Sequence, residues 1–348
     1  MGRQYVFWRH DDKPTFIMLV GIAGSGKSTI AENIYAEDAD GNINKPIIHS
    51  LDKIREEMYG NSSKYEKNSE LLKEVHKRIK EDLKNDKNVI YDATNITKKL
   101  RVSFLNELKK VSSYKQCICV MTPYNVCLQQ NQERDKKTSE DAIRQMYMSW
   151  TPPDYCEGFD SILPIYNYGN NEIKQRYTLN NLLKVMDPFE QESAHHEFTL
   201  GVHCRQAYKF ICNTYPDDYR LKMAAVLHDN GKVFTKTYKN AKGVEDGQVH
   251  YFNHHCVGAY DSMFYTDVAK MNHEDQIAIA NMIFYHMHPK MSWEQSEKAK
   301  KKDIRLIGED MYKTIMKLYA ADQSAHTRTQ EVEQEIKQEE REIRTIER

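Results

Sequence analysis

The segment 16–20, FIMLV, is apolar at every position and stops at once at GIAGSGKS (21–28). A run this short, with no polar alternation, reads as a parallel strand covered on both faces. The octet after it fits G-x-x-x-x-G-K-[ST]. Together they constrain the fold more than any other feature, because a strand must deliver this loop and a helix must leave it. The small residues let successive backbone N–H groups turn inward around phosphate oxygens. In this reading Gly21, Gly24, Ser25, Gly26, Lys27, Ser28 and Thr29 bind the nucleotide. Lys27 reaches the β and γ phosphates of ATP, and Ser28 holds Mg²⁺.

Similar short apolar runs recur at 47–48, 89–91, 117–121 and 162–166, with helical stretches at 69–84 and 100–110 between them. Strands alternating with helices predict a three-layer α/β domain with a parallel sheet over residues 1–168. The texture then changes. Gly169, Asn170 and Asn171 make a turn-rich joint, and 169–192 reads as a linker. Beyond it come helical stretches at 199–212, 218–228, 256–271, 274–285 and 310–325, with no strand series, which predicts an all-α domain over 193–326. The loop 241–251 carries two glycines and suits a small hairpin. The segment 327–348 is almost all charged and reads as a solvated helix or tail.

Composition sets the outer limits. A chain of 348 residues suits two domains, and 40% hydrophobic with 29% charged residues supports globular cores rather than disorder. Fifty Lys and Arg against 51 Asp and Glu leave a net charge of −1, which excludes a strongly basic nucleic-acid coat but permits a local groove. The seven cysteines are odd in number and form no C-x-x-C pair, so neither a disulfide framework nor a zinc ribbon is expected. No apolar signal region or membrane-length run occurs. The expectation is a cytoplasmic chain with no membrane partner.

Three later features bear on the phosphoryl acceptor. In SLDKIR (50–55), Asp52 at the end of a strand can take a proton from an attacking hydroxyl, and Arg55 can grip a substrate phosphate. In VIYDATN (89–95), followed by Arg101, the residues Asp92, Thr94, Asn95 and Arg101 sit where a buried strand opens at the mouth of the sheet. In 131–153, a basic patch containing Arg134, Lys136 and Lys137 leads into a helix starting near Ser139. Arg134 there can stabilise the phosphoryl group in flight. Each alone reads equally well as a helix start, a capped turn or a solvated loop. The segment 98–115 holds six Lys or Arg and one Glu, as would suit either a polyanion contact or a solvated helix face.

These elements stand in a fixed order with EGFD (157–160) and together resemble the 5′-hydroxyl polynucleotide kinase family over about residues 15–166. The resemblance implies that Asp52 is the general base, Arg55 a substrate-phosphate ligand and Arg134 a lid arginine. Related P-loop proteins with similar motifs phosphorylate small molecules, so the alternative is a nucleoside or nucleotide kinase.

The second half is rich in histidine. An apolar helix ends in His228-Asp229, followed by Asn230, Gly231 and Lys232; upstream lies His203, and downstream lie His254, His286 and Asp322. Imidazole and carboxylate suit Zn²⁺, Mn²⁺, Fe²⁺ or Ni²⁺. Singly, each reads as an ordinary core or surface residue. Jointly, the order H…HD…D resembles the HD phosphohydrolase superfamily, and QVHYFNHHCVGA (248–259) resembles the HD region of CCA-adding enzymes. The resemblance implies that His203, His228, Asp229 and Asp322 hold one metal, that His254 and His286 serve a second metal or the scissile phosphate, and that Lys232 binds phosphate and aids catalysis. The metal would lower the pKa of water and neutralise transition-state charge.

The leading expectation is a bifunctional healer of nucleic-acid ends, RNA in preference to DNA. It would carry an ATP- and Mg²⁺-dependent 5′-hydroxyl kinase and a 2′,3′-cyclic phosphodiesterase or 3′-phosphatase, with a separate RNA ligase as a natural partner. The alternatives are a small-molecule kinase joined to a nucleotidase-like hydrolase, and a non-catalytic ATP switch.

Overall fold

The structure is a computed structural model that describes residues 5–8, 13–37, 43–60, 68–192 and 197–326. The charged segment 327–348 and the pair His195-His196 lie outside the described residues. No helix among the described residues is long and apolar enough to cross a membrane.

The strands of the N-terminal half are β1 (Tyr5–Trp8), β2 (Thr15–Val20), β3 (Ile34–Glu37), β4 (Ile43–Asn44), β5 (Ile47–Ser50), β6 (Val89–Asp92), β7 (Tyr114–Met121) and β8 (Ser161–Tyr166). Five of them form an all-parallel sheet in the order β5-β6-β2-β7-β8. β1, β3 and β4 make a separate three-stranded sheet that the sequence reading did not foresee. Central β2 is covered on both faces. Phe16, Met18 and Val20 join one core, while Ile17 and Leu19 pack with Ile30, Ile34 and Ile90 in another.

The helices here are α1 (Lys27–Glu32), α2 (Leu51–Tyr59), α3 (Asn68–Lys84), α4 (Lys98–Glu107), α5 (Tyr124–Gln132) and α6 (Glu140–Met148). α3 buries Leu71, Val75, Ile79 and Leu83, a stripe at four-residue spacing. Each such side chain contributes about 1.5–3 kcal/mol when buried. Ser139 caps α6, its Oγ accepting from the Ala142 amide at 3.3 Å, as expected for a helix starting there.

The segment expected as a linker is not one. It forms α7 (Asn171–Arg176) and α8 (Leu179–Met186), and Ile173, Leu182 and Met186 are buried. The turn-like Asn170 is the N-cap of α7, its Oδ1 accepting from the Ile173 amide at 2.9 Å.

The rest is helical, as predicted: α9 (Leu200–Thr214), α10 (Tyr219–Leu227), α11 (Lys232–Thr235), α12 (His254–Val268), α13 (His273–Tyr285), α14 (Glu297–Ile307) and α15 (Glu309–Ser324). The expected hairpin is present as β9 (Thr237–Lys239) paired with β10 (Glu245–His250).

One continuous apolar core runs through both halves, from Phe16 and Met18 to Phe264 and Leu318. At the junction Tyr260 on α12 lies edge-on to Tyr147 and Trp150 at 5.1 and 5.2 Å between ring centroids. Polar bonds cross with it. The Tyr260 hydroxyl donates to the Thr122 carbonyl at 2.7 Å, Tyr166 to Gln276 Oε1 at 2.6 Å, and Asn281 Nδ2 to the Pro153 carbonyl at 3.0 Å.

Candidate functional site

The loop between β2 and α1 opens at the carboxyl edge of the parallel sheet. There the strand order reverses on either side of β2, which is where ligands enter such sheets. Gly26 has φ +91°, a left-handed conformation that a side chain would resist, and it hands the chain into α1. Lys27 is buried and its Nζ donates to the Ile22 carbonyl at 2.9 Å. Burial lowers its pKa, opposed by the carboxylate of Asp92. Ser28 Oγ donates to Asp92 Oδ2 at 2.8 Å, and the Ser25 hydroxyl is buried with no hydrogen-bond partner. A hydroxyl beside a carboxylate is a donor set that fits Mg²⁺, and an orphaned hydroxyl in the loop fits an absent oxyanion.

The cavity above this loop has a volume of about 830 Å³. Of the residues selected from sequence, Gly24 to Thr29, Asp52, Arg55, Asp92, Thr94 and Arg134 line it. Asp52 stands at the start of α2 with its side chain 68% exposed, and Arg55 Nη1 donates to its Oδ1 at 2.6 Å. The arginine therefore orients the carboxylate from below. Gly21 lies behind the loop, its amide donating to the Thr94 carbonyl at 3.0 Å. Gln130 and Asn167 also line the cavity and were not anticipated. Asn167 directly follows β8, so the rule that polar residues after buried strands meet ligands would have found it.

Two expected substrate ligands do not reach the cavity. Arg101 is 0% exposed and bonds through all three guanidinium nitrogens. It pairs with Glu157 at 2.7 and 2.8 Å and donates to the carbonyls of Asn95, Thr151 and Pro152. With its donors spent inside the protein it is a structural clamp. Asn95 is buried as well, its Nδ2 donating to the Leu19 carbonyl at 2.9 Å. Lys98 also turns inward, onto the Tyr285 hydroxyl and the Leu306 carbonyl at 3.3 Å, so the basic run of α4 is not an open groove.

The second site gathers side chains from five helices and their ends. His203 comes from α9, His228 and Asp229 from the end of α10, His254 from the start of α12, His286 from just after α13 and Asp322 from the last turn of α15. The expected ligands fall into two buried groups: His203, His228, Asp229 and Asp322, and Asp229, His254 and His286, each with ligand atoms within 4.8 Å of one another. Asp229 belongs to both. Its Oδ2 is 3.4 Å from His203 Nε2 and 3.5 Å from His228 Nε2; its Oδ1 is 3.3 Å from His254 Nε2 and 3.6 Å from His286 Nε2.

Gly231 has φ −66°, a backbone conformation open to any residue. Packing requires the glycine, because a Cβ there would strike the His254 carbonyl and the Gly258 amide. A Cβ on Gly258 would in turn meet Asn230 Oδ1 at 2.6 Å. This backbone contact draws His254 up to Asp229 and merges the two groups.

The imidazoles are pre-set. Nδ1 of His203, His228, His254 and His286 faces a backbone carbonyl, those of Ala325, Ala225, Tyr251 and Ile283, at 3.2, 2.8, 2.8 and 2.6 Å. A carbonyl accepts only, so Nδ1 carries the proton and Nε2 turns its other side to the centre. His203 Nε2 and His228 Nε2 are 3.1 Å apart, and His203 Nε2 is 3.1 Å from Asp322 Oδ1. Facing lone pairs at such distances need a cation between them. Ligands about 2.1 Å from one ion and 90–110° apart lie roughly 3.0–3.4 Å from each other, so the spacing fits a transition metal. The same field acts on protons. Burial disfavours the His203 imidazolium, but Asp229 and Asp322 outweigh it and raise its pKa to about 9. Burial dominates at His254 and pulls it down to about 4. Lys232 Nζ sits 2.7 Å from Asp229 Oδ2 and 2.9 Å from Gln191 Oε1, beside the cluster. His326 was passed over by the sequence reading, yet it stacks on His203 at 5.3 Å and approaches Asp322 at 3.4 Å.

Among curated proteins, the L-seryl-tRNA(Sec) kinase of Methanococcus maripaludis is 30% identical over 171 residues, or 49% of this chain and 65% of that protein. The chain thus spans under two thirds of that relative's length. Partial overlaps occur with a chain of the Pnkp1/Rnl/Hen1 RNA repair complex (21% identity, TM-score 0.32, 38% of this chain and 43% of that one). Others are a putative kinase from Chloroflexus aurantiacus (14%, TM-score 0.35, 45% and 87%) and a gluconokinase from Sinorhizobium meliloti (15%, TM-score 0.30, 44% and 82%). The model of the family described as chromatin associated protein KTI12 matches residues 15–200, which is more than half of the chain. With its phosphate-binding loop and five-stranded parallel sheet, the chain belongs to the KTI12 family.

Proposed function

We propose that the N-terminal half transfers the γ-phosphate of ATP to a hydroxyl carried by RNA, and that the C-terminal half is an HD-type, metal-dependent phosphohydrolase acting on phosphate ends. The chain would then heal RNA ends, kinase over about 1–168 and hydrolase over about 193–326. The observation that carries the kinase reading is the exposed carboxylate of Asp52 in the same cavity as Lys27, Ser28 and Arg134. Asp52, oriented by Arg55, accepts the proton of the attacking hydroxyl. Lys27 and Arg134 offset charge on the transferring group. Ser28 and Asp92 would hold Mg²⁺, which supplies charge neutralisation on the phosphates.

In the second site His203, His228, Asp229 and Asp322 would hold one divalent metal, and Asp229, His254 and His286 another. Such a metal supplies Lewis-acid polarisation of a phosphoryl oxygen and acidifies water. The backbone carbonyls fix each histidine in the tautomer that binds, and Lys232 offers a cation to the departing phosphate.

For the acceptor, a 5′-hydroxyl RNA end is the first reading. The likeness to a kinase of L-seryl-tRNA(Sec) supports a second, an aminoacyl hydroxyl on tRNA. The test is to incubate the protein with ATP, Mg²⁺ or Mn²⁺, and an RNA bearing 5′-hydroxyl and 2′,3′-cyclic phosphate ends. DNA, free nucleosides and seryl-tRNA serve in parallel. Lys27→Ala is expected to abolish transfer and spare hydrolysis. Loss of both activities in folded protein would overturn the two-site reading.

A further inference from the structure

We infer that the mouth of the histidine–carboxylate cavity is a subsite for the base of a nucleoside phosphate, with Phe252 as its stacking platform and Lys290 as a contact for the charged backbone. This rests on the phosphohydrolase reading and specifies its substrate class. The cavity has a volume of about 330 Å³ and holds Asp229, His254, His286 and Asp322 in its lining. That is near the lower bound of ordinary ligand pockets, room for one nucleotide rather than a length of strand.

The rest of the lining differs in chemistry from the metal-ligand set. Phe252 and Met291 border the cavity while 39% and 59% exposed. Large apolar side chains left open beside a charged cluster mark a surface that a ligand covers. The lining's carboxylates are Asp229 and Asp322, both in the metal-ligand groups, whereas Lys232 and Lys290 bring cations. Among the described residues Lys290 makes no ion pair. Cations beside exposed rings suit an anion joined to a flat, weakly polar group.

The backbone singles out Phe252. Tyr251 turns inward, its hydroxyl donating to the Gln191 carbonyl at 2.6 Å, and Asn253 follows with φ +60° before α12 begins at His254. Phe252 is the outward residue of this turn, two positions before a proposed ligand. His250 stacks on it at 5.1 Å and 11°, fixing the ring plane. A ring held in this way loses little freedom when a base stacks on it.

The test uses the full chain loaded with Mn²⁺. Probes are adenosine 2′,3′-cyclic phosphate, 3′-AMP, a short RNA ending in a 2′,3′-cyclic phosphate, and glycerol 2-phosphate, which has no base. Equilibrium binding, KM, kcat and metal content are measured for wild type, Phe252→Ala and Phe252→Trp. Phe252→Ala is expected to raise Kd and KM for the nucleotides by about 5- to 150-fold, the range of base–aromatic stacking. The effect on glycerol 2-phosphate is expected to be under twofold, metal content equal, and Phe252→Trp close to wild type. A preference for the RNA over the mononucleotides would identify an RNA end as the source, and the reverse a free nucleotide. Equal losses on all esters, no loss on the nucleotides, or no nucleotide binding by wild type would overturn the inference. Turnover of glycerol 2-phosphate with bound metal tests the phosphohydrolase reading separately.

Discussion

Asp229 should control the occupancy of two metal positions, whereas His286 controls one. The two oxygens of Asp229 face different histidine pairs: Oδ2 toward His203 and His228, and Oδ1 toward His254 and His286. Asp229→Asn keeps the volume but removes one of two carboxylates from the four-residue group and the sole carboxylate from the three-residue group. A pair of unit charges about 4 Å apart interacts by about 4 kcal/mol at an effective permittivity near 20, roughly three decades in affinity. After dialysis against a weak chelator, we expect about two transition-metal ions per chain in wild type, about one in His286→Ala and close to none in Asp229→Asn. Elemental analysis by mass spectrometry reads this directly. Hydrolysis of a cyclic phosphate should fall with it, while ATP-dependent transfer persists in both variants. His286→Ala leaves the 2.7 Å Lys232–Asp229 pair intact and so controls for a fold made unstable by an unpaired lysine. Equal metal content in all three proteins would refute the reasoning and return these histidines to a proton-bridged structural cluster.

Asp52→Asn should keep ATP binding and lower transfer about a hundredfold or more, and a fall below tenfold would make Asp52 a capping residue. Arg101→Met leaves Glu157 buried without its partner, a loss of about 3–5 kcal/mol. With an unfolding entropy of about 2.1 cal/mol/K per residue over the chain, Tm should fall by roughly 4–7 °C; an unchanged Tm with a raised acceptor KM would restore Arg101 as a substrate ligand. Asp261 is partly buried on α12, and burial, opposed by a hydrogen bond with Tyr147, raises its carboxyl from 3.8 to about 7. Because the folded value lies above the unfolded one, its contribution is complete below about pH 4 and lost as pH rises through 7. The loss is at most ~4 kcal/mol and is trimmed by partial exposure. Asp261→Asn should therefore raise Tm at pH 8 and have little effect at pH 4, and equal shifts at both would refute this.

The strands of the main sheet were legible because parallel strands buried on both faces appear as uninterrupted apolar runs. The small sheet was not, since four-residue β1 and β3 and two-residue β4 are too short to show a period. α7 hid behind Asn170, where a helix cap has the composition of a turn. Arg101 misled because it was grouped with the residues at the sheet mouth without regard to its place in the helical period of α4. Lys98, Arg101, Leu105 and Leu108 recur at three- and four-residue spacing and are all buried. The candidate ligands were visible by type and order. Their division around Asp229 was not, because it depends on the Gly231–Gly258 contact between segments 27 positions apart.

The junction between the halves bears on how such a chain can be divided. Thr122 Oγ1 donates to the Ser25 carbonyl at 2.9 Å behind the phosphate loop, and the same residue's carbonyl receives the hydroxyl of Tyr260, six positions after His254. The helix that opens with His254 of the buried histidine–carboxylate cluster thus buttresses the phosphate-binding loop. A cut after Tyr168 would uncover Tyr147 and Trp150 on one fragment and Tyr260 and Phe264 on the other. The halves are therefore not interchangeable cassettes. Grafting either onto a different neighbour would require redesign of the facing surface.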